Sequence, residues 1–452
     1  MDARANIRAA GLTTQLPREA ADARTTHAVW TAFFGFFIDI FDIYLPIIIL
    51  APAYIYFKPA EMKSPILDSF IFVTALFGRP VGALFFGYSA DRLGRKRAAS
   101  VTMSGAALCI FLTALLPSYQ TIGMASVVLL IVLRFFTGFF AGGQYTGAVT
   151  LAMETCPKER RGFYGALIGS SSNLSFVVMA IFGMILLRWL PSGKLDDPYT
   201  QWGWRIPYLV GAAITLIFLA YMRSYLQESE HFLNAKSKGM SSPFKSLFGD
   251  IGVSTDLFQG FLLMNGLWLA YFVPGAMMPA LLHSAMGLTA FQVTQVMLVA
   301  SICCFAGFLI GGLIGDRIGR RAAFIWLGTV AAIVGGIVFH LMVQLPKEEF
   351  SLIVTYASIV FGVIGLVWGS GPHAYLNERF HTNSRSSGYG IAFGFAIILP
   401  SLFSIYQNWL SSFVPMVQTP IILLVLGAAI VVGAAAWGPE TSASSYLDSK
   451  VD

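Results

Sequence analysis

Four charged side chains stand inside long apolar runs, where the cost of burying a charge makes each a candidate for function. Asp39 and Asp42 lie in Phe37-Ile-Asp39-Ile-Phe-Asp42-Ile-Tyr44, Arg79 in Phe77-Gly78-Arg79-Pro80-Val-Gly82, and Arg134 heads Arg134-Phe-Phe-Thr137-Gly138-Phe-Phe-Ala-Gly142-Gly143-Gln144-Tyr145. On a helix, the spacing of Asp39 and Asp42 puts both carboxylates on one face. Two like charges together in a low dielectric resist joint ionisation, so one of them is prone to hold a proton near neutral pH, as a proton carrier must. Arginine supplies the complementary chemistry, a planar fork of donors that matches a carboxylate. Arg79 therefore needs a carboxylate partner or an anion; the alternative is a packing arginine satisfied by backbone carbonyls near Pro80.

Weaker polar candidates accompany these charges. Asn173 follows a run of serines, and the second half of the chain offers Asn265, Trp268 and Tyr271, then His373 and Tyr375, then Gln407. With Arg79, Arg134, Gln144 and Tyr145 they make a candidate substrate set of donors and aromatic walls, suited to a small polar or ring-bearing solute. Enzyme chemistry is not expected. The sequence has no glycine loop for nucleotides ahead of a helix, no His/Asp cluster with metal spacing and no nucleophile motif. The four cysteines, Cys109, Cys156, Cys303 and Cys304, show neither a disulfide framework nor zinc spacing.

The elements that hold these groups are set by composition. Of 452 residues, 56% are hydrophobic and 12% charged, against about 25% charged in a typical soluble domain. Most of the chain must therefore face lipid. Taking about 20 apolar residues per span, twelve spans are predicted: 28–56, 66–90, 98–117, 122–153, 163–189, 203–227, 256–284, 290–315, 322–343, 350–377, 387–411 and 416–438. The residues before Trp30 lack the short apolar core of a cleaved signal, so the first run is expected to be the first span. If the spans alternate, 21 lysines and arginines fall on one side and 6 on the other, leaving Arg79 and Arg134 inside spans. That bias predicts both termini in the cytoplasm. The net charge of +6 is distributed as topology signals and gives no reason to expect nucleic acid.

Two loops repeat each other: Gly87-Tyr-Ser-Ala-Asp91-Arg92-Leu-Gly94-Arg95-Lys96 and Gly312-Leu-Ile-Gly-Asp316-Arg317-Ile-Gly319-Arg320-Arg321, 225 residues apart. A repeat at half the chain length implies two six-helix bundles in parallel relation, with a polar linker between them. The expected division is a tail 1–27, bundles 28–227 and 256–438, a linker 228–255 and a tail 439–452. In each loop the aspartate can accept from neighbouring arginines or sit at a helix N-terminus. The loops are read as a latch on the cytoplasmic side comprising Gly87, Asp91, Arg92, Gly94 and Arg95 with Glu154 and Arg161, and Gly312, Asp316, Arg317, Gly319 and Arg320 with Glu378.

The G-x-x-x-D-R-x-G-R-[KR] loop resembles the signature of the major facilitator superfamily, and here it occurs twice. The resemblance implies an all-α membrane protein of twelve helices that works by alternating access. It also implies that spans 1 and 4 face the central cavity together, so that Arg134 pairs with Asp39 or Asp42 and protonation frees the arginine. Locally, Asp39-Ile-Phe-Asp42 resembles the acidic pair of aromatic-acid and sialate proton symporters, and Arg79-Pro80-Val-Gly82 resembles the metabolite:proton symporters. Ile40 stands where the former have glycine and Gln144 where the latter have glutamate. Both branches imply proton symport of a carboxylate into the cell across the inner membrane, by a monomer whose partners are the anion, the proton and the bilayer and whose drive is the proton gradient, with no cofactor. An efflux antiporter, or a symporter of a zwitterion or a sugar, is the alternative.

Overall fold

In a computed structural model, residues 18–58, 65–192, 194–237 and 242–442 are described; the tail residues 1–17 and 443–452 and linker residues 238–241 lie outside them. The described chain is helical, and eleven helices are long and apolar enough to cross a membrane. With Pro65–Leu93 between the first two, they make twelve. In chain order they are α1 Asp22–Leu50, α2 Pro65–Leu93, α3 Arg95–Ala114, α4 Ala125–Thr155, α5 Lys158–Trp189, α6 Tyr199–Tyr225, α7 Ile251–Ser284, α8 Ala290–Ile318, α9 Arg320–Met342, α10 Phe350–Arg379, α11 Arg385–Leu410 and α12 Met416–Trp437.

Small residues let these helices approach. α2 packs on α4, α8 on α10, α7 on α12 and α3 on α6, while α5 lies against α8 and α2 against α11. The last two pairings join helices α1–α6 to helices α7–α12. A Cβ added at Gly138 or Gly142 would meet the α2 backbone, and one at Gly307 or Gly311 the α10 backbone. Such contacts are how helices associate where lipid is as apolar as leucine.

Several helices are interrupted where they line the centre. α1 ends in a π turn, Leu45–Leu50, at Pro46, and α7 contains one at Val273–Met277 around Pro274; proline removes the donor that would continue the ladder. A third lies in α4 at Tyr145–Val149. Such turns concentrate at functional sites. The linker is not a bare polar connection: it holds the short helices Glu230–Ser237 and Pro243–Phe248, and α7 begins five residues earlier than apolarity suggested because Asp250 caps it, accepting from the Gly252 amide at 2.7 Å.

Candidate functional site

A cavity of about 660 Å³ opens between the two sets of helices, in the half of the molecule remote from the repeated loops. The parts of α1, α5, α7 and α8 remote from those loops wall it, with Ile40, Ile43, Tyr44, Phe176, Trp268, Tyr271, Pro279 and Met297 among its lining residues, and Ile397 reaches it from α11. The lining is mostly apolar; the residues there that carry a polar atom include Tyr44, Tyr54, Tyr271, Thr294 and Trp268.

The four intramembrane charges lie directly behind that wall. Arg134 Nη1 donates to Asp42 Oδ1 at 3.0 Å and Nη2 to the Asp42 carbonyl at 3.1 Å. Arg79 Nη2 donates to Asp39 Oδ1. All four residues are buried. α1 therefore presents one carboxylate to α2 and the other to α4. Asp39 and Asp42 precede the cavity residues Ile40 and Ile43, so each pair is one residue from the space a solute would enter. Of the two partners open to Arg134, the structure pairs it with Asp42. The partner of Arg79 is Asp39 rather than carbonyls near Pro80.

On the opposite side the repeated loops close the molecule. Asp91 Oδ1 accepts from the Ser386 amide at 3.1 Å, and its Oδ2 from the Ser387 amide at 2.8 Å and the Ser387 hydroxyl at 2.7 Å, all at the N-terminus of α11. Asp316 does the same at the helical start of α5, taking the Gly162 and Phe163 amides at 2.8 Å each. Each aspartate crosses from its own set of helices to the other. The carboxylate at a helix N-terminus is favoured by the orphan amides and the dipole. Around each runs an ion network: Arg95 with Asp91 at 3.3 Å and Glu154 at 3.4 Å, and Arg385 with Glu154 at 2.6 Å; Arg320 with Asp316 at 2.6 Å and Glu378 at 3.7 Å, and Arg161 with Glu378 at 3.3 Å. Gly94 and Gly319 have φ of 115° and 95°, which a side chain would strain, and they seat Glu228 and Glu440 on the next helix. Glu228 accepts from the Arg95 and Lys96 amides, and Glu440 from those of Arg320 and Arg321. Burial raises the Glu440 carboxyl, but the amides of Ser442, Arg320 and Arg321 outweigh it and hold its pKa below the usual range.

Several candidates stand elsewhere than expected. Of the substrate set, Trp268 and Tyr271 line the cavity. Arg79 and Arg134 do not, because their forks are taken by aspartates. Gln144, Tyr145 and His373 sit in a sealed layer between cavity and latch, Asn173 is buried with its amide 3.4 Å from the Ser172 hydroxyl, and Asn265 donates to its own helix at Phe261. Gln407 lies outside the cavity lining. Tyr375 belongs to the latch side, its hydroxyl accepting from Arg379 at 3.1 Å, while Arg379 pairs with Asp256. Arg92 and Arg317 are exposed, because each follows its aspartate and so points about 100° away around the helix. Arg385, Ser386, Ser387, Glu228 and Glu440 join the contacts around the repeated loops, and the sequence reading missed them. The repeat could have found three of them: Arg385 follows Arg161 by 224 residues, and Glu440-Thr441 closes the second half as Glu228-Ser229 closes the first.

A family model described as Major Facilitator Superfamily matches residues 32–405. The chain belongs to the major facilitator superfamily. Among curated relatives it is 30% identical over 344 residues to a citrate-proton symporter of Salmonella typhi, covering 75% of this chain and 76% of that one. It is 29% identical over 344 residues to a proline/betaine transporter of Escherichia coli (strain K12), covering 74% and 66%. A solved proton:xylose symporter of this superfamily, bound to 6-bromo-6-deoxy-D-glucose, superposes with a TM-score of 0.70 at 16% identity, covering 94% of this chain and 98% of that one. The major facilitator fold accounts for the two sets of helices, the repeated loops and a cavity between the sets. Among the described residues no cluster of His, Cys, Asp and Glu could hold a metal.

Proposed function

We propose that this major facilitator is a secondary active transporter that imports a small organic anion, a mono-, hydroxy- or aromatic carboxylate, together with a proton, by rocking its two sets of helices about the central cavity. It would work as a monomer in the inner membrane, with the latch face and both termini cytoplasmic and no cofactor beyond the proton gradient. The observation that carries this reading is the pair of buried ion pairs on α1, Asp39–Arg79 and Asp42–Arg134. Together they are neutral. Protonating either aspartate leaves a buried arginine uncompensated, a state that costs about 3–5 kcal/mol. An anion in the adjoining cavity returns the missing charge, so proton and anion favour each other's arrival. A zwitterion or a sugar brings no net charge to do this. The likeness to a citrate-proton symporter supports the same substrate class, whereas direction of transport rests on that likeness alone.

The experiment is uptake into proteoliposomes of labelled citrate, succinate, benzoate, glycine betaine and xylose, with and without an inward proton gradient. Gradient-driven accumulation of one of the acids supports the proposal. Accumulation of betaine or xylose with none of the acids refutes it.

A further inference from the structure

Between the cavity and the latch lies a layer of aromatic rings centred on Phe393 of α11. Its ring centroid is 6.3 Å from Phe36 of α1, 5.0 Å from Tyr145 of α4, 5.5 Å from Trp268 of α7, 5.4 Å from His373 of α10 and 5.4 Å from Tyr389 of α11. Every neighbour is buried. The layer is not uniformly apolar. The Tyr145 hydroxyl, the Trp268 Nε1 and the His373 Nε2 all have no hydrogen-bond partner among the described residues, and neither amide atom of Gln144, next in the chain to Tyr145, has one. Buried polar atoms are nearly always satisfied, and each exception needs a reason. Five such atoms, on four residues of three helices in one layer, share one.

The His373 ring fixes the chemistry. Its Nδ1 is 2.7 Å from the Tyr389 hydroxyl. With the phenol, the better O–H donor, donating to Nδ1, the ring proton sits on Nε2, which becomes a donor. Nε2 faces Gly169 of α5, where an added Cβ would lie 3.3 Å from it. The idle groups are thus an imidazole N–H, an indole N–H and a phenol O–H, with an amide beside them. All can donate and none is charged. Phe393 stands two turns along α11 from Ser386 and Ser387, the residues Asp91 holds, and Ile397, one turn further, lines the cavity.

We infer that Phe393 is a plug occupying the carboxylate subsite of the latch-open state, and that Tyr145, Trp268 and His373 are the neutral donors that grip the anion once α11 withdraws. The inference rests on the organic-anion reading above and deepens it: contact with the carboxylate is made by uncharged donors, while Arg79 and Arg134 act on it through their field. It also explains why the cavity in this state shows so little polar lining.

The test uses whichever of citrate, succinate or benzoate the wild type accumulates, measured by equilibrium binding to purified protein and by uptake kinetics. Tyr145→Phe, His373→Leu and Trp268→Phe each remove one donor to a charged acceptor and are expected to raise Kd and KM about 10- to 100-fold, with Vmax within about twofold. His373→Gln, whose amide replaces the Nε2 donor, should restore most of the affinity, which a merely structural histidine would not predict. Tyr145→Phe is isosteric and guards against misfolding, checked by monodispersity and melting. Unchanged KM in Tyr145→Phe and His373→Leu overturns the inference while leaving anion symport intact. Failure of the wild type to bind any of the three acids overturns both.

Discussion

The latch makes a quantitative prediction at Asp91. Its carboxylate receives two backbone amides and one hydroxyl from α11, at 2.7–3.1 Å. Asparagine keeps one acceptor oxygen but turns an NH₂ toward a backbone N–H. At least one charge-assisted bond is lost and one buried amide is left unpaired, together worth roughly 2–4 kcal/mol. Because these bonds cross between the two sets of helices, they exist only while the loops are closed. The whole difference therefore falls on the opening equilibrium, a factor of roughly 30 to 1,000. A native reporter sits beside the latch. Cys156 is buried, its carbonyl lies 3.5 Å from Arg161 Nη2, and the carboxylate of Asp316 is close enough to act on its thiol. Burial pushes the Cys156 thiol well above its ordinary pKa, so it reacts with maleimide only when opening hydrates it. Maleimide modification of Cys156, followed by peptide mass spectrometry in liposomes, should be roughly 30- to 1,000-fold faster in Asp91→Asn. Asp316→Asn should act alike, and the double variant should exceed either. If the Asp91→Asn rate stays within threefold of the wild type while the protein remains monodisperse, the latch reasoning is wrong.

Other outcomes follow from the same geometry. Asp42→Asn should abolish accumulation driven by an imposed proton gradient, read as labelled anion in proteoliposomes, while counterflow exchange persists; full accumulation would remove Asp42 from coupling. Arg134→Lys should lower uptake at least about tenfold, since one ammonium cannot reach both the carboxylate and the carbonyl of Asp42 in the planar arrangement seen here; wild-type uptake would contradict that. Gly312→Ala should open the latch, because a Cβ there falls 2.6 Å from the Ala166 Cβ and 3.0 Å from the Phe163 Cα, and faster Cys156 modification is the readout.

What the residues alone disclosed tracks the range of the interaction concerned. Span positions follow from hydropathy, a local property, and most predicted ends fall within about three residues of the observed helices. The face shared by Asp39 and Asp42 is equally local. Their partners are not: Arg79 and Arg134 are 40 and 92 residues beyond them in sequence, and helix order around the cavity decides which carboxylate meets which arginine. Which of the polar candidates reach the cavity is decided the same way. Asn265 and Trp268 share a helix, yet only Trp268 lines the cavity. Tyr375 follows His373 by two residues, which turns its side chain about 200° around the helix, so it meets Gln259 and Arg379 on the latch side while His373 meets Tyr389. The repeated loop was the most legible feature because the chain spells it twice, although the amides that donate to Asp91 and Asp316 lie on helices that no local pattern marks.

The same chemistry, aspartate against arginine, is used in two ways that the packing keeps apart. Asp39–Arg79 and Asp42–Arg134 join α1 to α2 and α4, all in one set of helices. Rocking one set against the other leaves them intact, and only a proton or a competing anion disturbs them. Asp91 and Asp316 bond across the two sets, so rocking must break them, whereas nothing in the cavity touches them. A coupled transporter needs the first kind to govern the second. α1 is the element placed to do it: Asp39 and Asp42 hold it from behind, Ile40 and Ile43 line the cavity, and Phe36 meets His373 of α10 at 5.6 Å and Phe393 of α11 at 6.3 Å. On the proposed mechanism, releasing α1 from α2 or α4 by protonation would shift Phe36 against Phe393 of α11, the helix whose first turn Asp91 holds. Coupling on this view is a change in the footing of one helix. Tightness of coupling should therefore fall when Phe36 is shortened, as in Phe36→Ala, which leaves all four ion-pair partners untouched. The ratio of protons to anions moved per cycle measures it, and an unchanged ratio would place the connection elsewhere.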